Sequence, residues 1–189
     1  MKEVIDKSMR EHRKALDIVQ ARLSDEIERA AVMLAETLRR GDKILICGNG
    51  GSAADAQHIA AELTGRFAME REALPAIALT TDTSALTAIA NDYGFDRVFE
   101  RQIEALAKRG DMLIGISTSG RSQNIIRALE RARHKGCATL GLSGRDGGVM
   151  DELCDLNLTV PLESTARIQE MHIFIGHIIC ELVEKELFS

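Results

Sequence analysis

Residues 43–67 read Lys-Ile-Leu-Ile-Cys-Gly-Asn-Gly-Gly-Ser-Ala-Ala-Asp-Ala-Gln-His-Ile-Ala-Ala-Glu-Leu-Thr-Gly-Arg-Phe, and they contain the fold in miniature. Lys43–Cys47 is a short apolar run that reads as a buried strand, and Ser52–Phe67 reads as a helix. Between them lies the glycine-rich loop Gly48-Asn49-Gly50-Gly51-Ser52. Downstream, the same alternation predicts a strand at Ala76–Thr80, helical material from about Thr83 to Lys108 and a strand at Met112–Ile116. A helix at Ser122–Lys135, strands at Ala138–Leu142 and Leu156–Val160, and a closing helix at Ala166–Leu187 follow. Short apolar strands alternating with helices require a parallel sheet covered on both faces. The expectation is an α/β, three-layer αβα sandwich with a five-stranded parallel sheet of flavodoxin-like type, spanning residues 41–189. Residues 1–40 form an N-terminal helical extension, read as two helices broken near Leu23-Ser24-Asp25, with Ser24 as the cap of the second.

A chain of 189 residues suits one such domain, and 45% hydrophobic with 28% charged residues supplies a core and excludes a disordered composition. The net charge of -5 and pI near 5.6 argue against nucleic acid or an anionic membrane as partner. A small anionic substrate stays open, because backbone amides and hydroxyls can build a local anion site. The N-terminal stretch is charged and amphipathic, and no run of eighteen apolar residues occurs, so a soluble, cytoplasmic chain is expected. Cys47, Cys137, Cys154 and Cys180 are scattered in apolar stretches and read as buried free thiols. Met171–Val183 is apolar on nearly every side, interrupted by His172, Gly176, His177 and Glu181. Such a helix must be buried all round, and a second subunit is expected on the face that its own sheet does not cover.

Three features carry chemistry. The first loop allows close backbone approach at the start of a helix, and Ser52 with Asp55 has the spacing of a capping box. It is not a dinucleotide fingerprint, since Ala53 stands where the third glycine would fall. The second loop, Ser117-Thr118-Ser119-Gly120-Arg121-Ser122, places four hydroxyls between a strand and a helix N-terminus, which suits a phosphate. Gly115 to Ser122 is one residue from a nucleoside-triphosphate loop, but Arg121 replaces its lysine, which disfavours an ATPase. Third, His58 and Glu62 are spaced i, i+4 on one helix face, while Gln169 and His177 interrupt the closing helix. The latter two lie roughly 12 Å apart along a straight helix. A break near Gly176, or ligands from two subunits, would ease their convergence.

The stretches GNGGSAADAQHIAAELTGRF, NDYGFD, GISTSGRS and ARIQEMHIFIGH, in that order, resemble the bacterial phosphoheptose isomerases of the sugar-isomerase (SIS) domain superfamily. The resemblance spans nearly the whole chain. It implies conversion of D-sedoheptulose 7-phosphate to D-glycero-D-manno-heptopyranose 7-phosphate, toward nucleotide-activated heptose for lipopolysaccharide or other surface glycans. It also implies a homotetramer with active sites at subunit interfaces. By motif match, Asn49, Gly50, Gly51, Asn91 and Asp92 contact the sugar, with Glu62 and Gln169 also in the substrate site. Ser117, Thr118, Ser119 and Ser122 hold the phosphate. His58, Glu62, Gln169 and His177 match zinc (Zn2+) ligands, and Glu62 with His177 the acid–base pair, their roles exchangeable. One departure is Ala166, where some relatives carry an aspartate. LTAIANDY and RIQEMH also resemble a sister group of adaptors that bind the replication initiator, but those relatives tend to lose the counterparts of Glu62 and His177. The adaptor is the alternative, and a sugar-phosphate sensor without turnover a third reading.

Overall fold

The computed structural model describes residues 1–189. Five strands, β1 (Ile44–Gly48), β2 (Ala76–Ala78), β3 (Met112–Ser117), β4 (Ala138–Gly144) and β5 (Leu156–Val160), join in the order β2-β1-β3-β4-β5. Every neighbouring pair is parallel. The helices are α1 (Lys2–Arg39), α2 (Gly51–Thr64), α3 (Thr83–Tyr93), α4 (Val98–Leu106), α5 (Gln123–His134), α6 (Met150–Leu153) and α7 (Thr165–Phe188). The predicted three-layer sandwich and five-stranded parallel sheet are therefore present, with strand ends moved by one or two residues.

Side-chain alternation along the strands divides the core in two. Ile44, Ile46, Met112, Ile114, Ile116, Leu140 and Leu142 join the core shared with α1, α2 and α7. Leu45, Cys47 and Leu113 pack on the other side with Val98, Phe99 and Ile103 of α4 and Ile125 and Leu129 of α5. The helical material after Thr83 is two helices, separated at Gly94 and by a single 3-10 turn, Phe95–Arg97.

The N-terminal extension is one continuous helix rather than two. Ser24 does not cap: its hydroxyl donates to the Gln20 carbonyl at 2.7 Å, a bond made inside an unbroken helix. Val19, Leu23, Ile27, Ala30, Ala31 and Leu34 carry one buried stripe straight through the expected break. This helix also revises the argument about α7. Leu16, Val19 and Ile27 of α1 and Phe174 and Ile178 of α7 line one apolar groove. Helix α1 thus covers part of the face of α7 away from the sheet, while Phe174 stays exposed and Ile178 half-buried, so the apolar circumference is only partly accounted for within the chain.

Candidate active site

The strand order reverses at β1 and β3: the chain leaves β1 toward one edge of the sheet and β3 toward the other. In open parallel sheets, a crevice for ligands forms outside the carboxyl ends of the strands at such a point. Both candidate loops lie there, one after each strand, and each opens a helix. Neither α2 nor α5 has its first-turn amides satisfied by a capping side chain, whereas in α3 the Asp82 carboxylate accepts from Ala85 N at 2.9 Å. Two uncapped helix N-termini thus border one crevice, the arrangement that favours an anion.

The second loop folds its hydroxyls onto one another. Ser117 Oγ lies 2.9 Å from Ser122 Oγ and 3.4 Å from Ser119 Oγ, and Ser119 Oγ accepts from the Arg121 amide at 3.2 Å. Ser117 is buried, and Thr118, Ser119 and Ser122 are half-buried. Gly120 has φ of +63°, and a Cβ there would fall 2.0 Å from the Gly147 carbonyl oxygen, so only glycine fits. Arg121 points to Asp146, at 2.6 Å, instead of into the loop. That placement removes the residue needed for the nucleoside-triphosphate reading. The two loops are tied by a reciprocal amide pair: Asn49 Nδ2 donates to Asn124 Oδ1 at 2.9 Å, and Asn124 Nδ2 returns a bond to Asn49 Oδ1 at 2.8 Å.

Where α2 and α7 pack together, they assemble the third group. His58 Nε2 lies 2.9 Å from His177 Nε2 and 3.3 Å from Glu62 Oε1. Ligating atoms of all three residues lie within 4.8 Å of one another. The convergence occurs within one chain, and α7 runs unbroken through Gly176. Gly176 acts by lacking a side chain: a Cβ there would lie 2.7 Å from Ile59 Cδ1 on α2. The closeness of the two helices, not a kink, lets His177 reach His58. Two imidazoles and a carboxylate form the donor set of a catalytic zinc site with an open position, so these residues fit that metal.

Gln169, two turns before His177, is turned toward the first loop. Its Nε2 donates to Asp55 Oδ1 at 2.6 Å, and a Cβ on Gly51 would lie 3.3 Å from its Cγ. Its amide oxygen makes no hydrogen bond within the chain. Asp55 is the residue that sequence reasoning misassigned. Instead of closing a capping box with Ser52, it is buried against α7, and Oδ2 has no protein partner. Burial lifts its carboxyl to about 6, against the opposing effects of the Gln169 hydrogen bond and nearby His58. Asn124 was missed altogether, since nothing local marks a partner 75 residues from Asn49.

Asn91 and Asp92 are exposed on α3 and bond each other at 2.8 Å, with no hydrogen bond to either loop. His172 is structural. It is buried and bonded to the Ser143 carbonyl at 2.8 Å, and burial lowers its imidazole to about 4 despite that bond. All four cysteines are free; Cys47, Cys137 and Cys180 are buried and Cys154 is half-buried. No helix is long and apolar enough to cross a membrane.

The fold and crevice are those of a SIS domain, and the SIS domain family matches residues 9–144. The phosphoheptose isomerase of Aliarcobacter butzleri is 61% identical over 99% of both chains. That of Nitratiruptor sp. is 58% identical over 98% of this chain and 99% of its own. The solved phosphoheptose isomerase of Neisseria gonorrhoeae superposes with a TM-score of 0.93 at 46% identity, over 97% of this chain and 98% of its own. This chain belongs to the phosphoheptose isomerase family of SIS-domain proteins.

Proposed function

We propose that the chain interconverts D-sedoheptulose 7-phosphate and D-glycero-D-manno-heptopyranose 7-phosphate through an enediol. It is an aldose–ketose isomerase acting on a phosphorylated sugar. One observation carries the mechanism: a carboxylate and two imidazoles meet between α7 and α2, the helix that opens at the glycine loop bordering the crevice. Isomerisation moves a proton between adjacent carbons and needs a base at carbon, an acid at oxygen and a fixed substrate. Ser117, Thr118, Ser119 and Ser122, with the first amides of α5, hold the phosphate. Asn49, Gly50, Gly51, Gln169, Asn91 and Asp92 contact the sugar. Glu62 takes the carbon-bound proton, and His177 passes protons at oxygen and assists ring opening.

His58, Glu62, Gln169 and His177 would hold one zinc ion, with Gln169 offering its amide oxygen. When bound, the metal supplies polarisation of a carbonyl oxygen. The fit of the donor set supports this reading. We further propose a cytoplasmic enzyme supplying heptose for lipopolysaccharide or a related surface glycan, and a homotetramer in which residues 1–40, continuous with the 41–189 domain, form subunit contacts. Exposed Val4, Ile5, Met9 and Val32 on α1 and Phe174 on α7 support self-association. The initiator-binding adaptor is disfavoured by the relatives and by the presence of both Glu62 and His177.

The test is incubation with sedoheptulose 7-phosphate, followed by NMR, with metal analysis of the same sample and light scattering for assembly. Formation of the aldose phosphate is expected. Absence of turnover with and without added zinc would overturn the isomerase assignment.

A further inference from the structure

Beyond the reacting groups, α2 and α7 are joined by a buried ion pair that the mechanism does not use. Arg71 lies in the segment after α2, and Glu184 lies two turns beyond His177 on α7. Both side chains are 1% exposed. Glu184 Oε1 accepts from Phe67 N at 2.8 Å and from Arg71 Nε at 2.9 Å. Its Oε2 accepts from Ala68 N and Met69 N, both at 2.9 Å. Three successive amides and a guanidinium enclose one carboxylate, a fully satisfied anion nest filled by the chain itself.

Arg71 also faces α2. Its Nη2 donates to the Glu62 carbonyl at 2.8 Å, and Nη1 donates to the carbonyls of Leu63 and Glu72, each at 2.9 Å. Glu62 and Leu63 belong to the last turn of α2, whose carbonyls lack helical partners, so the guanidinium caps that end. The cap therefore grips the backbone of the residue whose side chain is the candidate base. The other end of the clamp grips α7 seven residues from His177, on the same helix face. Phe67, one of the three amide donors, sets its ring 5.8 Å from the His177 ring.

We propose that Arg71 and Glu184 are positioning residues that lock α2 against α7 so that His58, Glu62 and His177 meet in reactive geometry. The proposal deepens the isomerase reading and rests on it. A buried pair of this kind need not add net stability over an apolar replacement, which gives a geometric role room to be its main one. Misplacement of reacting groups by about 1 Å can cost on the order of 100-fold in rate.

The test compares Glu184→Gln and Arg71→Lys with Ile103→Val, a core truncation on the opposite side of the sheet. Each full-length variant is measured for kcat, KM, thermal midpoint and the side-chain 1H–15N correlations of its histidines. Glu184→Gln is expected to lose about 10- to 100-fold in kcat with KM within about threefold, and to shift the Nε2 signals of His58 and His177. Arg71→Lys keeps the charge but not the fork that reaches Glu62 and Leu63. It is expected to lose kcat beyond any loss of melting temperature, and it carries the test if Glu184→Gln does not fold. Ile103→Val should lower the melting temperature with kcat and both histidine signals unchanged. Parental kcat and histidine signals in folded Glu184→Gln and Arg71→Lys would overturn the proposal. If the parent itself does not turn over, the isomerase reading fails separately, and the histidine signals alone decide whether the clamp sets the cluster.

Discussion

Two parts of the candidate site are held in opposite ways. The seam between α2 and α7 has a glycine at its closest approach, a buried ion pair at one end and the Asp55–Gln169 bond at the other. Helix α3, which carries Asn91 and Asp92, has no buried residue. The contrast separates two demands. Groups that exchange protons must be placed within fractions of an ångström, and Glu62 and His177, proposed for that role, sit where packing over-determines the backbone. Asn91 and Asp92, proposed to contact the sugar, have looser support.

The comparison breaks most visibly at the reacting groups. Glu62→Gln should lower kcat by about 100- to 10,000-fold while the melting temperature holds, because general-base catalysis is worth that much and the side chain keeps its size. Gly176→Val should push α7 away from Ile59, costing about 1–3 kcal/mol of stability, measured by denaturant unfolding. Its kcat should fall by about tenfold or more. On α3, Asn91→Ala should raise KM about fivefold, the worth of one hydrogen bond near 1 kcal/mol. Stability should stay within about 0.5 kcal/mol, as for exposed substitutions generally.

The clamp adds a prediction about pH rather than about turnover. Burial raises the Glu184 carboxyl, but three backbone amides and Arg71 outweigh it and bring the group from its usual 4.5 to about 2. The folded state therefore binds this proton more weakly than the unfolded chain. The resulting stability is fully present above about pH 4.5 and is lost as pH falls through about 2. Unfolding measured across that window should show a shallower acid slope for Glu184→Gln than for the parent.

Much of this was legible in the sequence, for stated reasons. Short apolar runs flanked by glycine and helical segments fixed the layer order, because period and length are local properties. The hydroxyl loop and the i, i+4 pair His58 and Glu62 were visible for the same reason. Misreadings arose where a local pattern had a second physical use. Ser24-Asp25 looks like a helix start, yet Ser24 bonds back one turn while the buried stripe of α1 continues past it. Ser52 and Asp55 have capping-box spacing, yet Asp55 is drawn to Gln169, 114 residues away. Arg71 and Glu184, 113 residues apart, left no local trace because neither position departs from ordinary charged spacing.

The central claim is that Glu62 and His177 act as one unit across the α2–α7 seam. It is tested most directly by a double-mutant cycle on kcat with Glu62→Gln, His177→Gln and the combined variant. Residues acting in one step are non-additive, so the combined variant should be about as slow as the slower single variant. Losses that multiply, each residue contributing its full factor in the absence of the other, would contradict the account.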